Sequence, residues 1–182
     1  MQQQTDNFAK FGKSFQDSLC QLMLEDRPFC DQITEVLTID FLETKYLQVF
    51  VKTIMDYRTR YNVHPTYEIL ATIFKSGITE YDDAVQKQVR DYYARVIASD
   101  KVNDSDYIKE TAIDFCRKQV LKQAMMKSVG LLKSSSFDEI SQVINNALKL
   151  GSDNNFGHDY LADFERRFEL KIRNPITTGW ER

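Results

Sequence analysis

The chain has 182 residues, 42% of them hydrophobic and 28% charged, with a formal net charge of −3. That is the make-up of an ordinary globular chain with enough apolar mass for a real core. A chain this acidic is a poor candidate for wrapping nucleic acid over its whole surface, and no run of about 18 apolar residues offers a membrane span. Six glycines and three prolines are too few for the many tight turns of sandwiches, barrels and parallel α/β folds, so the expected class is all-α.

Residues 1–14 are polar and are expected to fray; their start, MQQQTDNFAKFGKSF, lacks the apolar segment of a secretory signal. From Ser14, the apolar residues Phe15, Leu19, Leu22 and Met23 recur at helical spacing, predicting a helix that ends near Asp26–Pro28. A short helix is expected over Phe29–Leu37 and a long one over Glu43–Tyr61, stopped by Asn62-Val63-His64-Pro65. Pro65 opens the next, Thr66–Lys75, which Ser76-Gly77 ends, and Val85, Val89, Tyr92, Tyr93, Val96 and Ile97 mark another over about 80–98. Residues 15–104 thus read as an N-terminal helical bundle.

The polar stretch 99–105 introduces the longest helix, about 106–133, with acids early and bases late, as the helix dipole favours. Its apolar set, from Ile108 to Leu132, is wide enough to require cover on two sides. A turn at Ser134–Ser136 leads into a returning helix lined by Ile140, Val143, Ile144, Ala147 and Leu148 and closed by Gly151. Residues 105–150 therefore read as an antiparallel helical hairpin. Two helices cannot cover both of their own faces, so the hairpin is expected to pair with a second copy. Phe115, Leu121, Met125, Leu132, Ile140 and Ile144 are the candidates for that contact.

Residues 151–157 (GSDNNFG) have the composition of a flexible linker. A last amphipathic helix, 158–173, carries Tyr160, Leu161, Phe164, Phe168 and Ile172. No later element follows to cover that stripe, so docking onto another subunit or domain is expected.

No catalytic signature is present: the chain contains no GxxxxGK[ST], GxGxxG, HExxH, CxxC or GxSxG. His64 and His158, the only histidines, have no second metal ligand at helical spacing, and Cys20, Cys30 and Cys116 read as reduced, buried thiols. Neither a catalytic nor a metal site is expected, and no cofactor for these residues. The single basic run, Arg117–Lys133, fits the negative end of its own helix; reading it as a nucleic-acid patch is weakened by the lack of interleaved aromatics.

The string Phe156–Phe168 (FGHDYLADFERRF), followed by Ile176-Thr177-Thr178-Gly179-Trp180, resembles the linker region of DnaB-like hexameric replicative helicases, most closely those of tailed bacteriophages. The order upstream is similar too: a small helical domain, a helical hairpin, a linker and a linker helix. The resemblance implies that 174–182 begin a RecA-like motor whose phosphate-binding loop lies beyond Arg182. It implies a hexameric ring, 5′→3′ unwinding driven by ATP with Mg2+, and single-stranded DNA held by the motor. It also implies primase as a partner, a host-cell cytoplasmic setting, and a collar of paired hairpins. The alternative from another class is a complete, non-enzymatic helical adaptor, such as a helicase loader or replication scaffold.

Overall fold

The first buried side chain comes from outside every expected helix. In the computed structural model, which describes residues 6–133 and 136–150, Asn7 accepts a hydrogen bond from the Ala9 N–H (3.0 Å) and starts a 3-10 turn over Phe8–Phe11. The turn drops Phe8 into the core at 0% exposure. Its ring lies 4.6 Å from that of Phe115 and 6.3 Å, edge-on, from that of Phe41. The expectation that residues up to 14 fray is therefore corrected for 6–14. A single turn has no periodicity to reveal it, and one large aromatic is enough to anchor it.

Seven α-helices follow among the described residues: α1 Lys13–Glu25, α2 Arg27–Thr34, α3 Lys45–Tyr61, α4 Tyr67–Ser76, α5 Asp83–Ala98, α6 Ser105–Leu132 and α7 Phe137–Lys149. No strand occurs among them, and the class is all-α. Local chemistry accounts for the boundaries. Asp26 caps α2 by accepting from the Phe29 N–H at 3.0 Å, and Asp82 caps α5 by accepting from Val85 at 2.8 Å. Asn62 ends α3 in the left-handed region (φ 54°), a conformation that Asn tolerates better than most residues.

α1 lies at the centre, with Gln16 and every residue from Leu19 to Leu24 buried. Against it pack α2, α3 and the first part of α6. Phe50 of α3 stacks on Phe74 of α4 (5.6 Å) and meets Tyr92 of α5 edge-on (4.9 Å). Each such side chain is worth roughly 1.5–3 kcal/mol of burial. Among the polar atoms taken inside, the Tyr92 hydroxyl donates to the Asp17 carbonyl (2.6 Å) and that of Tyr93 to the Tyr67 carbonyl, whereas the Thr44 hydroxyl is buried without a hydrogen-bond partner among the described residues. Gln16 accepts from the Glu43 N–H at 2.8 Å.

α6 crosses what the sequence suggests is a domain boundary. Ile108, Ala112, Phe115 and Cys116 belong to the same core as α1–α5, and Lys109 pairs with Asp26 at 2.6 Å. The hairpin is thus not a unit separate from the bundle at residue 104: α6 is a bundle helix for its first half. Phe115, expected on the self-association face, sits inside this core and is corrected accordingly. No described helix is long and apolar enough to cross a membrane.

Candidate assembly surface

At 100° per residue the buried positions of α6 fall on two different sides. Ile108, Ala112, Phe115, Cys116 and Gln119 share the side that meets the bundle. Ala124 and Ser128, buried further along, point about a third of a turn or more away from it, toward α7. Ala147 is the buried residue of α7. Small residues at this crossing let the two helices approach closely, and the Ser128 hydroxyl is satisfied by donating to the Ala124 carbonyl at 2.9 Å. The two-sided cover that the wide apolar set of α6 demands is therefore supplied within the chain, by the bundle on one side and α7 on the other.

A third strip remains uncovered. Met125 is 54% exposed, Val129 61% and Leu132 56%. With half-buried Leu121 they fill an arc of roughly 80° on α6. On α7, Phe137 is 68% exposed and Leu148 52%; with half-buried Ile144 they span about 40°. In an antiparallel pair of right-handed helices these arcs flank the contact line on the same side. The opposite side carries exposed Gln123, Lys127, Glu139 and Asn146. The second half of the hairpin is thus amphipathic as a layer, one side apolar and the other polar.

Leu121, Met125 and Leu132, together with Ile144, lie on the apolar side, and Ile140 lies beneath it, half-buried against α6. Val129, Phe137 and Leu148 are equally part of the face, although the self-association set expected from sequence does not include them; the signal for them is the joint phase of the two helices, which needs the pairing register. Tyr160, Leu161, Phe164, Phe168 and Ile172 of the expected linker helix lie outside the described residues.

The charges bordering the face are partly neutralised inside the chain. Lys118 pairs with Asp114 at 2.6 Å. Lys122 reaches Asp6 at 3.2 Å, and that hydrogen bond, with the lysine charge and Gln119, holds the Asp6 carboxyl below its ordinary range. The basic run therefore spends two of its cations on intramolecular pairs.

The remaining candidate chemistry is structural. Burial pushes the Cys116 thiol up to about 12 and raises those of Cys20 and Cys30, so none is poised as a thiolate. No group of three metal-ligating side chains gathers among the described residues. A groove of about 630 Å3 between α3 and α4 is lined by Lys52, Asp56, Tyr57, Arg60, Ile73 and Tyr81, and Lys52 spans to Glu80 at 3.9 Å on its rim. Its charges are two of each sign, with no bias toward an anionic or cationic guest.

No protein-family model matches the chain, and no curated protein matches it significantly.

Proposed function

We propose that this chain is the collar and assembly module of a DnaB-like replicative DNA helicase, acting by self-association through the hairpin and not by catalysis of its own. The observation that supports this best is the apolar side of the hairpin. Five large side chains, each more than half exposed, lie together on Met125, Val129, Leu132, Phe137 and Leu148. Scattered exposed apolar residues are normal on a monomer, whereas a contiguous set on one side of a helical layer marks a contact surface. A second copy suits it: the face is apolar, and Lys118 and Lys122 beside it are already paired to Asp114 and Asp6, which lowers the charge that a two-fold contact brings together. The helicase reading adds the resemblance of 156–168 and 176–180 and the hairpin's place before a linker. On this reading primase and single-stranded DNA belong to the assembled protein, and ATP with Mg2+ to its motor.

Native mass tests the reading. The chain is expected to run as a dimer or larger species, and Met125→Lys with Leu132→Glu is expected to return it to the monomer mass with its helical content unchanged. A wild-type monomer at high micromolar concentration, or a variant of unchanged mass, would remove self-association and favour the adaptor class.

A further inference from the structure

His64 sits at the corner between α3 and α4, in the segment that Asn62 and Pro65 force out of helix. Its ring is held at both nitrogens. Nε2 lies 2.7 Å from the carbonyl of Leu24, near the end of α1, and Nδ1 lies 3.0 Å from the Arg58 guanidinium of α3. A carbonyl can only accept and a guanidinium can only donate. The partners therefore fix one form of the ring: neutral, with the proton on Nε2 and the lone pair of Nδ1 turned to Arg58. Arg58 is in turn held by the Asp31 carboxylate of α2.

We infer that His64 is a protonation-operated latch: neutral, it pins the α3–α4 corner to the end of α1, and protonated it releases that corner. A proton taken from solvent at Nδ1 would face an N–H against the Arg58 N–H and set two cations side by side. The surroundings offer little relief. From α2, Arg27 adds a further positive charge, and Asp31, the nearby anion, is already bonded to Arg58. From the end of α1, Glu25 accepts from the Tyr67 hydroxyl of α4 at 3.4 Å, and Asp26 is taken by Lys109 of α6. Glu68 of α4 lies next to its own helix start and interacts with Thr66. Burial, followed by the charges of Arg58 and Arg27, lowers the affinity of His64 for a proton, against the upward pull of its bond to Leu24.

The segment that would move is specific. The corner carries exposed Tyr61, Val63, Tyr67 and Ile69, and α4 forms one wall of the α3–α4 groove. Opening would alter that surface and leave the hairpin, at the other end of the chain, in place.

The test uses the full chain with His158→Gln, so that one imidazole remains, and reads two quantities. Nitrogen chemical shifts of the ring at pH 7.5 are expected to show the neutral Nε2–H form, titrating below 6.5. Hydrogen-exchange protection of the corner's hydrogen-bonded amides, Asn62, Ile69 and Leu70, corrected for intrinsic rates, is expected to fall between pH 7.5 and 5.5 by at most about tenfold, the limit for an open-state imidazole that titrates near 6.5 against a closed ring that stays neutral. His64→Gln keeps a donor toward Leu24 but cannot take the proton, so its protection of Asn62, Ile69 and Leu70 should stay level over the same interval. An Nδ1–H form, a titration at or above 6.5, or an equal loss of protection in His64→Gln would overturn the latch. If the Gln variant does not fold, the tautomer and titration of the wild-type ring decide alone.

Discussion

Phe115 and Met125 lie ten residues apart on one helix, and their surroundings are opposite. Phe115 is 2% exposed among the rings of Phe8, Phe11 and Phe41, whereas Met125 is 54% exposed beside a second helix whose one buried side chain is Ala147. The bundle buries its large side chains and uses them to fix one arrangement of six helices. The second half of the hairpin fully buries only small residues, Ala124, Ser128 and Ala147, and leaves five large ones more than half exposed. Interiors are built by the first kind of contact, while the second leaves apolar area available for a partner. The contrast within one helix shows that α6 serves folding at one end and, on our proposal, assembly at the other.

Three substitutions would sharpen or break this contrast. Phe8→Ala should cost about 3–5 kcal/mol in denaturant unfolding, since the ring is fully buried and lies against Phe115. A loss below about 1 kcal/mol would mean that the N-terminal turn is an ornament of the bundle and not part of its core. Ala147→Leu should cost less, about 1–3 kcal/mol, by forcing α7 away from Ala124 and Ser128. Its effect should be larger on native mass than on bundle stability, because the apolar side loses its register; a stabilised hairpin would show that the crossing is loosely packed.

Asp26→Asn should have the smallest effect, about 1 kcal/mol or less near neutral pH, because Asn still caps α2. It also removes the Lys109 pair that ties α6 to the bundle. Burial raises the Asp26 carboxyl, but the Lys109 bond and the Phe29 N–H outweigh it and hold the group below its usual 3.8. A lowered folded value contributes stability above about pH 4 and loses it as pH falls through that folded value. The acid limb of the wild type should therefore be steeper below pH 4 than that of Asp26→Asn, and identical limbs would sever this link between the regions.

Much of the architecture is legible because it is periodic. Leu70 and Phe74, or Val89, Tyr92, Tyr93 and Val96, repeat at helical spacing and are buried in the bundle. Asn62 and Pro65 mark the break between α3 and α4, which the left-handed Asn62 realises. The width of the apolar set on α6 is equally readable, but not its division: which arc faces the bundle and which faces α7 depends on phase accumulated over 28 residues and on two neighbours. Periodicity alone thus puts Phe115 on the wrong side, and it marks Val129 and Leu148 as apolar without assigning them to the exposed face. Phe8 escaped because one residue has no period. The contact between His64 and Leu24 spans 40 positions, and local sequence carries no trace of it.

α6 runs without interruption from one role to the other, and an unbroken helix is a protractor as well as a strut. One residue inserted between Cys116 and Leu121 would swing the apolar side of the hairpin by about 100° about the helix axis relative to the bundle. An insertion of seven would return it to within about 20° of its starting direction, displaced outward by about 10 Å. Whatever meets this face is therefore sensitive to the count of residues in a stretch it never touches. Lengths that differ by about 7, 11 or 18 residues, near whole numbers of turns, are the tolerable ones.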